Sequence, residues 1–171
     1  MPTSLFILGG VRSGKSRFAI TGIPSAARVA FVATAQAGDA EMAARIARHQ
    51  CERPGGWRTV EEPTELVHRL DALSDVDRII VDCVTVWVAN LLLRGDGEEA
   101  IVKAGEGLAA WVARSACDVT LVSNEVGEGV HPSTEDGRRF RDALGAVNQR
   151  LAAACDRVVL MVAGLPLSIK P

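Results

Sequence analysis

Near its N-terminus the chain carries a glycine-rich turn between an apolar run and a helical stretch. Residues 9–16 read GGVRSGKS, which satisfies G-x-x-x-x-G-K-[ST], and they follow the apolar run SLFIL (4–8). Glycines in such a turn let backbone N–H groups converge on phosphate oxygens, and the N-terminus of the next helix adds a favourable dipole. A chance glycine-rich turn is the alternative. Pattern, position and the surrounding elements together favour a phosphate-binding loop (P-loop) for a nucleoside triphosphate.

The rest of the chain alternates short apolar runs with amphipathic stretches, which is the pattern of a parallel sheet wrapped by helices. The runs are rich in Val and Ile and apolar on both faces, as buried parallel strands are. They predict strands at 4–8, 29–33, 78–82, 119–123 and 157–163, with a last short strand at 166–170. We therefore predict an α/β fold: a single P-loop (RecA-like) domain over residues 1–171, with a mostly parallel sheet flanked by helices.

Helices are predicted in the gaps between these strands. The best defined covers 135–155, where Phe140, Leu144, Val147 and Leu151 recur at helical spacing on one face. Another is expected to begin with Pro63 in its first turn and to reach residue 73. The remaining predicted helices run from residues 14–15 to about 22, over 39–50, after Thr85, and over much of 98–116.

Composition excludes several classes of protein. A net charge of −2, 48% hydrophobic and 23% charged residues are typical of a soluble globular protein and indicate neither a nucleic-acid surface nor a basic membrane patch. The cysteines Cys51, Cys83, Cys117 and Cys155 show no C-x-x-C spacing, which indicates reduced thiols in a cytoplasmic compartment. No signal peptide is recognisable at the N-terminus, and no apolar tract is long and uninterrupted enough for a membrane span.

A P-loop needs Mg²⁺ and an acidic partner for it at the end of a neighbouring strand. Lys15 is expected to reach the β- and γ-phosphates, and the Ser16 hydroxyl to complete the metal ligands. Asp82 follows three apolar residues in RIIVDCVT and is the candidate acidic ligand. The alternative is a strand-end Asp that caps the next helix, but Thr85 is available for that purpose, and the P-loop upstream favours the metal role.

His49 lies among arginines in RIARHQCERPGGW (45–57). If Asp39 caps the predicted helix 39–50, Arg45 and His49 project together from one edge of it. Neighbouring cations lower the pKa of an imidazole and keep it a neutral nucleophile, whereas a helix C-terminus favours the charged form. Taken alone, the pattern is more typical of a solvated helix face than of a catalytic one.

Several blocks of the sequence resemble one family. LGGVRSGKSR, EMAARIARHQCERPGGWRTVEEP, DCVTVWVANLL and SNEVGEGVHP occur in this order, followed by RFRDALGAVNQRLAAACDRVVLMVAGLPLSIK. Together they resemble the bifunctional adenosylcobinamide kinase/adenosylcobinamide-phosphate guanylyltransferase family of cobalamin biosynthesis. The similarity spans almost the whole chain, and R-x-x-x-H-x-x-x-R-P-x-x-W is far more specific than the P-loop.

The resemblance implies roles for particular residues. It makes His49 the catalytic nucleophile, which attacks the α-phosphate of GTP and carries GMP as a phosphoramidate. It makes Glu61 and Asp82 the acidic contacts of the nucleotide or the metal, in keeping with the metal site that the P-loop predicts at Ser16 and Asp82. The nucleotide-binding residues that it implies are Gly9, Gly10, Val11, Arg12, Ser13, Gly14, Lys15, Ser16, Ala33, Thr34, Ala35, Gln50, Cys51, Glu52, Arg53, Glu61 and Asp82.

The implied activity consists of two reactions. ATP or GTP first phosphorylates the aminopropanol hydroxyl of adenosylcobinamide, and the product then receives GMP from His49 to give adenosylcobinamide-GDP. Two alternatives remain: a simple P-loop small-molecule kinase in which His49 is silent, and a GTP-dependent switch that transfers no group. The chain lacks the N/T-K-x-D guanine-reading motif expected of such a switch. The resemblance also implies a homotrimer.

One further segment lies where ligands gather in open α/β sheets. Asn124, Glu125, Val126 and Gly127 follow a predicted strand end, and the sequence favours a site and a plain turn there about equally. His68 and His131 are expected to be surface and structural residues, and Trp57 and Trp87 to serve in packing, with Trp87 also a candidate to face the corrin ring.

Overall fold

The computed structural model describes residues 1–38, 43, 44, 47, 50 and 54–171. Its strands are β1 (Ser4–Gly9), β2 (Val29–Ala33), β3 (Arg58–Glu61), β4 (Arg78–Asp82), β5 (Asp118–Val122), β6 (Arg157–Val162) and β7 (Leu165–Lys170). Its helices are α1 (Lys15–Ile20), α2 (Leu66–Asp71), α3 (Val84–Arg94), α4 (Glu98–Ala113) and α5 (Glu135–Ala154). Of the helix predicted over 39–50, residues 43, 44, 47 and 50 are helical, and the other positions lie outside the described residues.

The strands form one sheet in the order β3-β2-β4-β5-β1-β6-β7. All neighbouring pairs are parallel except β6 and β7, which are antiparallel. Strand β5 therefore lies between β1, which leads into the glycine-rich turn, and β4, which ends at Asp82. This confirms the predicted mostly parallel sheet flanked by helices.

Both faces of the sheet are covered by apolar side chains. One core cluster joins Phe6, Val81 and Leu121 to Leu108 of α4 and Leu144 of α5, all of them fully or almost fully buried. A smaller cluster on the other face includes the buried side chains of Ile7, Phe31 and Ile80, with Ala19 of α1. Burial on both faces explains why the central strands are apolar throughout rather than alternating.

The structure differs from the sequence-based predictions at one strand and two helices. Strand β3 was not predicted because only Val60 of its four residues is buried, so it carries no apolar run. Helix α2 begins at Leu66 rather than at Pro63, because the Glu62 carboxylate accepts the N–H groups of Thr64 and Glu65 and forms a turn there. Helix α1 ends at Ile20, two residues before the predicted end.

The described residues contain no helix with both the length and the apolar character needed to cross a bilayer.

Candidate functional site

The turn between β1 and α1 has the backbone of a phosphate cradle. Its residues Arg12 (φ 57°) and Gly14 (φ 95°) adopt left-handed conformations, and Gly9 has a φ of 152°. A Cβ on Gly9 would lie 2.6 Å from the Ser13 Oγ and 2.7 Å from the Met161 carbonyl oxygen. Only glycine fits there, because any side chain would displace the turn from β6.

Lys15 is 8% exposed and folds back over this turn. Its Nζ donates to the carbonyl oxygens of Gly9 at 2.9 Å and Gly10 at 2.6 Å. The ammonium group is therefore held at the mouth of the cradle, where phosphoryl oxygens of a bound nucleotide are expected.

Neighbouring segments fix the cradle from two sides. The Glu125 N–H donates to the Gly9 carbonyl oxygen at 3.2 Å, and the Gly164 N–H donates to the Ser13 carbonyl oxygen at 3.0 Å. The Ser13 hydroxyl is buried, and no partner for it is found among the described residues. A buried hydroxyl of this kind is suited to donate a hydrogen bond to an oxygen atom of a ligand bound in the cradle.

Acidic side chains lie at the carboxyl ends of the neighbouring strands. Asp82 ends β4 and is in register with Ala33 of β2 and Val122 of β5. Glu61 ends β3, is also in register with Ala33, and is exposed. Both carboxylates therefore lie at the same edge of the sheet as the cradle, as parallel strands require.

The environment of Cys83 indicates that both charges of the site are nearby. Burial raises the pKa of the Cys83 thiol to about 11; the negative charge of Asp82 adds to the rise, and the positive charge of Lys15 opposes it. Both charges therefore act on the same thiol.

The oxygen donors of this edge fit Mg²⁺. A protein usually supplies only one or two ligands to Mg²⁺, and the nucleotide phosphates and water supply the rest. The Ser16 hydroxyl, half-buried in the first turn of α1, and the Asp82 carboxylate are such donors. No cluster of three or more His, Cys, Asp or Glu side chains suited to a metal occurs in the described part of the chain.

Neither Asp82 nor Thr85 caps α3. The N-cap residue of that helix is Cys83, whose side chain makes no capping hydrogen bond. The Thr85 Oγ1 instead accepts the N–H of Asn124 at 2.6 Å. The alternative prediction, in which Asp82 or Thr85 caps this helix, is therefore wrong.

The loop after β2 is held by the polar groups of Thr34. This residue is fully buried; its hydroxyl donates to the Cys83 carbonyl oxygen at 2.8 Å and accepts the Cys83 N–H at 2.9 Å. Its carbonyl oxygen accepts from the Asn90 amide at 2.9 Å, and its N–H donates to the Asp82 carbonyl oxygen at 3.3 Å. Thr34 thus joins the ends of β2 and β4, and Ala33 and Ala35 on either side of it are half-buried.

Several sequence-predicted residues lie elsewhere or outside the described residues. Gln50 is helical and exposed. The remaining positions, which lie outside the described residues, are His49, Cys51, Glu52 and Arg53.

Two of the residues expected to be structural are placed. The His131 Nδ1 accepts a 2.7 Å hydrogen bond from the Arg141 guanidinium of α5, which has no acceptor of its own. Trp87 is 2% exposed and donates to the Thr64 carbonyl oxygen at 2.8 Å, so its ring packs in the core and does not face a ligand.

Comparison with known families gives a match over most of the chain. The family model described as cobinamide kinase / cobinamide phosphate guanyltransferase (CobU) matches residues 5–169. The bifunctional adenosylcobalamin biosynthesis protein CobP of Pseudomonas aeruginosa is 45% identical, covering 96% of this chain and 95% of the relative. The bifunctional adenosylcobalamin biosynthesis protein CobU of Salmonella typhimurium is 42% identical, covering 97% and 99%, and that of Escherichia coli is 40% identical with the same coverage.

A solved structure with the same fold is an ATPase from the type III secretion system of pathogenic bacteria. It superposes with a TM-score of 0.56 at 11% sequence identity, and the match covers 97% of this chain and 56% of the ATPase chain. At this level of identity the similarity concerns the fold alone, and it agrees with the predicted P-loop architecture.

Proposed function

The chain belongs to the cobinamide kinase / cobinamide phosphate guanyltransferase family, and on this premise we propose how its residues carry out the two reactions. The chain is a bifunctional transferase of cobalamin biosynthesis, with cobinamide kinase and cobinamide-phosphate guanylyltransferase activities. The observation that carries the proposal is the cradle itself, in which a buried lysine is held over a glycine-rich turn at the end of the sheet.

In the kinase reaction the cradle holds the nucleotide and Lys15 neutralises charge on the β- and γ-phosphates. The N–H groups of residues 9–16 orient the phosphoryl chain, and the aminopropanol hydroxyl of adenosylcobinamide attacks the γ-phosphorus. Ser16 and Asp82 would hold Mg²⁺, which would supply electrostatic stabilisation to the transferring phosphoryl group. The products are adenosylcobinamide phosphate and the nucleoside diphosphate.

In the guanylyl transfer His49 is the proposed nucleophile. Its ring nitrogen attacks the α-phosphorus of GTP, pyrophosphate leaves, and GMP remains bound to the imidazole. The phosphate group of adenosylcobinamide phosphate then takes the GMP and releases the histidine. Support comes from the sequence block that contains His49, and we propose that Arg45 and Arg53 of this block neutralise the charge that develops.

The other proposed nucleotide contacts follow the strand ends. Ala33 and Ala35 are expected to line the site by packing, since the polar groups of Thr34 between them are already hydrogen-bonded. Glu61 is proposed as an acidic contact of the nucleotide, and residues 50–53 as contacts beside the histidine. We further propose a homotrimer, as the sequence resemblance implies.

Incubation with GTP labelled at the α-phosphate tests the guanylyl transfer directly. The protein should retain label through a bond that survives base and is lost in acid, as a phosphoramidate is, and His49→Asn should retain none. His68→Asn is the matched control, because His68 is an exposed residue of α2, and it should label as the wild type does.

The same samples separate the alternatives. A protein that phosphorylates adenosylcobinamide without retaining label is a simple kinase in which His49 is silent. Nucleotide binding or hydrolysis without either transfer identifies a GTP-dependent switch. Either result contradicts the proposed function.

A further inference from the structure

Four polar residues form a closed hydrogen-bonded ring where β5 ends. The Asn124 N–H donates to the Thr85 Oγ1 at 2.6 Å, and the Thr85 and Ser123 hydroxyls are 3.3 Å apart. The Ser123 hydroxyl donates to the Asn148 Oδ1 at 2.8 Å, and the Asn148 amide donates to the Asn124 carbonyl oxygen at 3.1 Å. The ring therefore joins the start of α3, the end of β5 and the middle of α5.

The ring has a single consistent direction. Since Ser123 uses its proton on Asn148, the Thr85 hydroxyl must donate to Ser123, and Thr85 in turn accepts from Asn124. Each hydroxyl donates once and accepts once. Thr85, Ser123 and Asn148 are 7%, 0% and 5% exposed, so the loss of any one leaves a buried polar group without its partner.

The segment that this ring holds lies between the two halves of the phosphate site. Strand β5 is flanked by β1, which carries the cradle, and by β4, which carries Asp82. The ring binds both the N–H and the carbonyl oxygen of Asn124. The next residue, Glu125, donates its N–H to the Gly9 carbonyl oxygen of the cradle at 3.2 Å.

We propose that Thr85, Ser123 and Asn148 are positioning residues for the phosphoryl-transfer step. They fix the backbone of Asn124 and Glu125 between the cradle and Asp82, and we infer that the acceptor alcohol approaches the γ-phosphate there. This inference rests on the proposed kinase function and adds to it a set of residues that touch neither nucleotide nor acceptor. Because displacements of about 1 Å reduce rates by as much as ~100-fold, the ring acts on the rate of transfer.

A purely structural role predicts something different. A ring that serves only stability lowers the melting temperature when broken, and leaves kcat unchanged at temperatures where the variant is folded. A positioning role lowers kcat under those same conditions. It leaves nucleotide affinity close to the wild type, since the cradle keeps its own backbone and Lys15.

The test compares Ser123→Ala and Asn148→Leu with Thr120→Val. Thr120 lies on the same strand, is 1% exposed, and its hydroxyl has no partner within the described part of the chain. Phosphorylation of adenosylcobinamide is measured well below each variant's melting temperature, with the nucleotide dissociation constant measured by calorimetry. We expect kcat to fall about tenfold or more in the two ring variants, the dissociation constant to stay within about twofold, and Thr120→Val to match the wild type.

A third variant gives a readout that stability alone would not move. Asn148→Asp keeps an acceptor for Ser123, but its ionised carboxylate cannot donate to the Asn124 carbonyl oxygen. Burial favours the protonated acid, which regains a donor. The kcat of Asn148→Asp relative to the wild type should therefore rise as the pH is lowered. If Asn148→Leu does not fold, Ser123→Ala, which removes one oxygen atom, and Asn148→Asp carry the test.

Equal kcat values for the ring variants and Thr120→Val would overturn the inference, as would a ratio for Asn148→Asp that does not depend on pH. Failure of the proposed function is a separate result, because it shows in the wild type. If the wild type transfers no phosphoryl group to adenosylcobinamide, the kinase assignment fails whatever the variants do.

Discussion

Lys15 is the cation on which the phosphoryl-transfer proposal depends. Lys15→Met keeps the apolar stem that fills this buried position and removes the ammonium group that Gly9 and Gly10 hold. Loss of one group that stabilises transition-state charge costs about 100- to 1,000-fold in kcat, so phosphorylation of adenosylcobinamide should fall by about that factor. The rate is followed by transfer of label from the γ-phosphate.

The matched control for this change is Lys103→Met. Lys103 is an exposed residue of α4, and its replacement should leave the rate unchanged. An active Lys15→Met protein would show that the cradle does not bind the transferring phosphate.

Alkylation tests whether the thiols of Cys83, beside Asp82, and Cys155 stay protonated in the folded protein. Burial raises the pKa of the Cys83 thiol to about 11 and that of the Cys155 thiol to about 12, above the 9.0 of an ordinary thiol. Both residues should resist alkylation at about pH 8 and react once the chain is unfolded in urea, because only the thiolate is reactive. Peptide mass spectrometry locates the label.

These two pKa values also set a pH dependence of stability. The folded state holds both protons more tightly than the unfolded chain does, so this contribution is complete below a pH of 9.0 and is lost as the pH rises through about 11 and about 12. The free energy of unfolding should fall over that alkaline range. Rapid native alkylation of Cys83, whose side chain is half-buried, would contradict the raised pKa of its thiol.

Among the elements, α4 and α5 pack so closely that one glycine decides their separation. A Cβ at Gly105 of α4 would lie 2.9 Å and 3.2 Å from the two γ-carbons of Val147 in α5. Gly105→Ala should therefore lower the free energy of unfolding by about 1–2 kcal/mol, because overpacking outweighs the better helix propensity of alanine. Urea denaturation measures the change.

Gly107 on the same helix is the control. A Cβ at that position meets nothing within 4 Å, so Gly107→Ala should raise the free energy of unfolding by about 0.5–1 kcal/mol. The two substitutions are chemically identical and two residues apart. Effects of the same sign would mean that the two helices do not pack as described.

The sequence predicts elements well where burial on both faces leaves an apolar run. Strands β1, β2, β4, β5 and β6 are confirmed within one residue at each end. Strand β3 was missed because, at the edge of the sheet, backbone pairing with β2 stabilises it and only Val60 needs to be apolar. The local pattern carries no information about such pairing.

In the candidate site, too, the sequence predicts the features that depend on a local pattern and misses those that depend on contacts between distant residues. The cradle is recognisable because phosphate binding imposes a local pattern of glycines, a lysine and a serine on consecutive residues. The ring of Thr85, Ser123, Asn124 and Asn148 depends on contacts between residues 24 to 39 positions apart, and no local spacing pattern predicts such contacts. The assignment of His49 stays a prediction from the sequence.

At the scale of the whole molecule, the parallel sheet gathers the cradle and the strand-end acids at one edge. The ends of β2, β3, β4 and β5 are level with one another through the residues paired with Ala33 and Asp82. A nucleotide bound there contacts segments that are far apart in the sequence. Binding should therefore stabilise the entire fold rather than one loop, since only the folded chain presents the site.

Nucleotide binding is accordingly expected to raise the melting temperature. A ligand at one hundred times its dissociation constant adds about 2.7 kcal/mol, which is about 5–10 °C for a chain of this size. Calorimetry with GTP and Mg²⁺ measures the shift in melting temperature. Chelation of the metal should reduce this shift, because Ser16 and Asp82 then lose the ion that they share.

The Asp82→Asn variant tests the metal site. Its melting temperature should rise only by the reduced amount seen after chelation, whether or not Mg²⁺ is present. Gly105→Ala, which starts from a lower melting temperature, should show the full shift, because its defect lies between α4 and α5 and away from the cradle. A full metal-dependent shift in Asp82→Asn would remove that carboxylate from the metal site.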